Sequence, residues 1–129
     1  MAEYYLFSNI QLNHDRKVGS QVGIHIHWKQ TQADSIGWKV GYRWQVNGQL
    51  KAGDWRYITT SHREATWTTG VLNQITDFGL INAPASDGLS DILQLRISRE
   101  DAVAVDVHAY SVDVHIECDT MGSRTEFGK

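Results

Sequence analysis

Val22-Gly23-Ile24-His25-Ile26-His27-Trp28 (VGIHIHW, residues 22–28) decides the fold. Apolar and non-apolar residues alternate with a period of two. Side chains on a strand point to opposite faces in turn, so Val22, Ile24, Ile26 and Trp28 share one face. Gly23, His25 and His27 share the other. The pattern predicts a strand with one face in a core. It leaves open whether the two histidines on the second face form a metal site.

The same period recurs along the chain. In residues 38–46, Trp38, Val40, Tyr42, Trp44 and Val46 oppose Lys39, Gly41, Arg43 and Gln45, and Asn47-Gly48 follows as a tight-turn signal. Residues 55–60 and 65–69 are rich in Trp, Tyr, Ile and Thr, as strands are. Leu93, Leu95 and Ile97 alternate within residues 92–98, and Tyr110, Val112, Val114, Ile116 and Cys118 within residues 110–118. Residues 4–12 read as a weaker strand. Val103, Val105 and Val107 are out of phase with the apolar set that follows, so residues 99–107 are expected to be a loop or bulge. Residues 70–88 show no clear pattern, and no segment carries a helical stripe. The expected fold is all-β: a single-domain antiparallel β-sandwich of jelly-roll or Greek-key type over residues 1–121, with a C-terminal tail over 122–129.

Composition narrows the function. A chain of 129 residues fits one domain. Its single cysteine, Cys118, excludes an internal disulfide and a four-thiolate zinc site. The formal net charge is -3 and the basic residues form no run, which argues against a nucleic-acid partner. No apolar stretch reaches membrane-span length, and the start MAEYYLFSN lacks the features of a signal peptide, so no membrane partner is expected.

Candidate chemistry centres on the histidines. His25 and His27 could reach one metal, and Gly19, His25 and His27 fit the first half of the cupin frame. The Glu of that frame is missing, because Thr31 and Gln32 stand near its place. His115 or Glu117 could add a third ligand if the last strand lies beside this one. Asp113, His115 and Glu117 share a face, but alternation alone explains such a row. The expectation is therefore no metal and no cofactor, with His25, His27 and His115 as the set to reconsider. Asp77-Phe78-Gly79 matches a protein-kinase triplet, but the chain lacks the other kinase motifs. Cys118 is expected to be buried. Trp28, Trp38, Tyr42 and Trp44 are expected in the core. Trp55, Tyr57 and Trp67 are read as core first, with Trp55 and Tyr57 as interface candidates if exposed.

Three segments together carry a resemblance: His25-Ile26-His27-Trp28, the stretch WKVGYRWQVNG (residues 38–48), and Val112-Asp113-Val114-His115 running into Asp119-Thr120-Met121-Gly122-Ser123. The combination resembles small β-sandwich virion proteins of tailed bacteriophages, of the capsid-decoration and head- or tail-fibre type. The resemblance implies a non-enzymatic structural protein assembled in the host cytoplasm and carried on the virion. Its partner would be the major capsid protein or another virion protein. A repetitive shell favours a homo-oligomer, expected as a trimer. The tail lacks a periodic pattern and is either a frayed end, as termini commonly are, or an arm that orders on a neighbour, with Phe127 as anchor and Arg124 as polar contact. A fibre or adhesion module, a cupin-like metal enzyme and a carbohydrate-binding module are the alternatives.

Overall fold

The computed structural model describes residues 5–32, 34–63, 74–84 and 91–118. The proposed strand at 65–69, Trp67, and the tail with Arg124 and Phe127 lie outside them. Among the described residues seven strands occur: β1 (Leu6–Gln11), β2 (Val22–Gln30), β3 (Ser35–Gln45), β4 (Arg56–Arg63), β5 (Gln74–Ile81), β6 (Ile92–Arg99) and β7 (Val107–His115). No helix occurs among the described residues.

The strands form two antiparallel sheets, β1-β6-β3-β4 and β5-β2-β7, packed as a sandwich. Apart from β3 and β4, neighbouring strands are not consecutive, so the chain crosses repeatedly between the sheets rather than meandering. The core is built from the predicted alternating faces. Ile24, Ile26 and Trp28 of β2 meet Trp38, Val40 and Trp44 of β3 and Leu93, Leu95 and Ile97 of β6. Trp28 and Trp38 join the sheets edge to face, with ring centroids 5.5 Å apart. The Trp28 indole N–H donates to the Thr76 hydroxyl at 2.9 Å, which satisfies a polar group taken fully out of water.

Two irregularities are put to use. In β5, Asp77-Phe78-Gly79 forms a bulge opposite the Gly23–His25 stretch of β2. Gly79 sits at φ +81° and its N–H donates to Asp77 Oδ1 at 2.7 Å. The kinase-like triplet is therefore a turn device, since glycine takes this backbone region without the steric cost other residues meet. In β7, His27 pairs with Ser111 and Trp28 with Ala109, leaving Tyr110 as the extra residue of a second bulge. That bulge brings the odd-numbered valines and the even-numbered Val112 and Val114 onto one core.

The segment between β6 and β7 is held by charge. Arg99 grips Asp101 with two nitrogens and donates to the carbonyls of Val103 and Val105. Asp101 also accepts from Gly37 N at 2.9 Å and Val103 N at 3.0 Å. Burial works to raise the Asp101 pKa. The hydrogen bonds from Arg99, Gly37 and Val103, with the Arg99 charge, outweigh it and hold the carboxyl below its ordinary 3.8.

Cys118 corrects one expectation. It is exposed, because β7 ends at His115 and Cys118 lies beyond it, in an isolated bridge with Arg16. Tyr57 is exposed and Trp55 half-buried, so neither joins the core.

Two stability tests follow. Trp28→Ala should cost about 3–5 kcal/mol in urea denaturation; a loss below about 1 kcal/mol would deny it a central place. The Asp101 contribution should be complete above its unfolded value and lost as pH falls through the depressed folded value. Wild type should therefore lose stability below about pH 4 more steeply than Asp101→Asn, as read by urea midpoints across pH.

Candidate functional site

The outer face of the three-stranded sheet carries the histidines. In β2, inward Ile24, Ile26 and Trp28 force His25 and His27 outward. Antiparallel register places Asp113 of β7 directly opposite His25, and Ser111 opposite His27. The Tyr110 bulge resets the phase of β7, so that 111, 113 and 115 point the same way as the histidines. His115 pairs with Gly23. A Cβ at Gly23 would sit in van der Waals contact with His115 Cβ at 3.5 Å and Leu80 at 3.4 Å, so β5 and β7 close in on both sides of this residue.

The resulting contacts are close. Asp113 Oδ2 accepts from His25 Nε2 at 3.2 Å and lies 2.9 Å from His27 Nε2, an ion pair when that ring is protonated. His115 Nε2 lies 3.3 Å from His25 Nε2, with the two rings 4.4 Å apart. Side-chain exposures are 18% for His25, 22% for His27 and 41% for Asp113, so solvent and small ions can enter. Desolvation works to raise the Asp113 pKa. Hydrogen bonds from His25 and Ser111, with the charges of His27 and His25, outweigh it and hold the carboxyl below its ordinary 3.8.

His25, His27 and Asp113 each offer one donor atom, all within 4.8 Å of one another. This differs from the set read in the sequence: Asp113 completes the group and His115 stands beside it. Glu117 instead pairs with Lys17 at 2.9 Å, well exposed to solvent. Asp113 is two residues before His115, so alternation already put it on the right face. What the sequence lacks is the β2–β7 register.

A second surface lies on the outer face of the four-stranded sheet. The Arg96 guanidinium stacks 4.4 Å from the Trp55 ring, 4.9 Å from Tyr57 and 5.1 Å from Tyr5. Arg43 covers Trp55 at 4.5 Å and donates to Gln94 at 2.6 Å. Gly41 is the floor of this cluster. A Cβ there would lie 2.8 Å from Tyr57 and 2.9 Å from Arg96. Phe7, 69% exposed, and Tyr5 extend the surface past Arg96. Phe7 also lines an apolar seam with Leu6, Ala109, Tyr110 and Val112, where the edge strands β1 and β7 approach each other. Trp55 and Tyr57 were legible as interface candidates. Arg96, Arg43, Tyr5 and Phe7 were not, since only pairing across strands assembles them.

Comparison with protein-family models, with curated proteins and with solved structures finds no match.

Gly41→Ala should push Tyr57 and Arg96 off their floor and cost about 1–3 kcal/mol, with Gly41→Val worse. Thermal melts of the two variants check it; two unchanged melting temperatures would mean that the cluster yields freely.

Proposed function

We propose that this chain is a structural protein of a tailed-bacteriophage virion, a capsid decoration or cement protein that acts by contact and not by catalysis. The observation that supports this reading is the aromatic–guanidinium face of the four-stranded sheet. Tyr, Trp and Arg are the residues that dominate binding energy at protein interfaces. Here Tyr57 is 42% exposed, and Trp55 is held flat by Arg43 and Arg96. Rigid aromatics lose little side-chain freedom on contact, so less of the interaction energy goes into ordering them. The surface continues over Phe7 to the apolar seam between β1 and β7. That seam suits self-association into the homo-oligomer, a trimer in this reading, that repeated weak contacts with a shell would favour. The major capsid protein is the proposed partner. The tail, with Phe127 and Arg124, belongs to the same proposal as an arm on a neighbouring subunit.

Purified protein should sediment with phage particles that lack it, at many equivalent positions visible by electron microscopy. Tyr57→Ala combined with Phe7→Ser should reduce occupancy at least about tenfold, the equivalent of about 1.4 kcal/mol, with the fold retained by circular dichroism. Deleting residues 122–129 should also weaken binding. A monomer that never associates with particles would overturn the reading.

A further inference from the structure

We propose that His25, His27 and Asp113 form a binding site for a divalent cation of the zinc class on the outer face of the three-stranded sheet. Two imidazoles and one carboxylate favour a borderline ion such as zinc over calcium or magnesium, which take oxygen ligands.

The spacing carries the inference. Ligands about 2.0–2.1 Å from a tetrahedral zinc ion lie about 3.3 Å from one another. The distances here are 2.9 Å from His27 Nε2 to Asp113 Oδ2 and 3.2 Å from His25 Nε2 to the same oxygen. His115 Nε2, 3.3 Å from His25 Nε2, adds a further nitrogen at the margin. Hydrogen bonds alone serve this group poorly. One neutral His25 Nε2–H would have to answer both Asp113 Oδ2 and the lone pair of His115 Nε2. A single cation satisfies all of these lone pairs together.

The backbone supports the site. The two histidines stand on one strand, the carboxylate on its paired neighbour, and Trp28 and Ile26 anchor β2 from beneath. Ser111 stands beside Asp113 on the same face of β7, where an outer-shell partner of a metal ligand would be placed. Bound metal would therefore tie β2 to β7.

The full chain, purified without chelator and then stripped, should be titrated with zinc chloride by calorimetry. One equivalent should bind, and the melting temperature should rise with zinc concentration. His27→Ala and Asp113→Asn should each weaken binding by more than the roughly 10–100-fold that outer-shell changes cost. His108→Ala, an exposed histidine on the same strand as Asp113, should leave it unchanged. Because a variant could fold poorly, wild-type protein provides an independent readout: zinc should shift the imidazole resonances of His25 and His27 and leave that of His108 in place. Absence of saturable binding, binding that survives both ligand substitutions, or uniform shifts of all histidines would each overturn the proposal. The cluster would then be a hydrogen-bonded histidine–aspartate chain only.

Discussion

The edge-to-face contact of Trp28 with Trp38 is where the two sheets meet. Both indoles are buried, and their strands belong to opposite sheets. Once Trp28 points inward, the period of two leaves His25 and His27 no choice but the outer surface. Once Trp38 points inward, Gly41 and Arg43 must face out on the other sheet. The packing of one pair of rings thus fixes the direction of the residues that β2 and β3 contribute to the two candidate surfaces. Thr76 completes the arrangement by accepting the indole proton of Trp28, which would otherwise be stranded in the core.

Much of this was legible in the sequence. The alternation in residues 22–28, 38–46 and 92–98 located β2, β3 and β6 and their inward faces, because buried strands must place every second residue in the core. β5 was not legible. Its bulge at Asp77-Phe78-Gly79 breaks the period, and exposed Ile75 and Leu80 blur the apolar pattern. The phase slip before residue 110 was visible, but it was read as lying at 99–107. Part of that segment is a loop, and the slip itself is the extra residue Tyr110 inside β7. At the histidine cluster, sequence identified both members on β2. It could not supply Asp113 as their partner, since that depends on a pairing across nearly the whole chain. Cys118 was placed inward by continuing a period past the end of its strand.

The two outer faces carry different chemistry. One concentrates imidazole and carboxylate within reach of each other. The other spreads aromatic rings and guanidinium groups over a broad area. Such a division suits a sandwich, because each sheet's solvent side is free to vary while the shared core stays constant. Ligand binding at the histidines and contact at the aromatic face could then be gained or lost separately.

The strand order also governs how the chain can come together. Leu6 pairs with Ile97, and Gly23 with His115. Among the described strands, β1 therefore has no hydrogen-bonding partner until β6 exists, and β2 gains its second neighbour only with β7. On a ribosome, the amino-terminal strands would leave the exit tunnel long before these partners are made. The sandwich cannot close until β6 and β7 have been made, and topologies dominated by such distant pairings fold in about milliseconds to seconds. During that interval the apolar faces of β1 and β2 are exposed together with open strand edges, the condition under which chains pair with the wrong neighbour. Expression temperature and rate of synthesis would therefore set the recovered yield as much as native stability does.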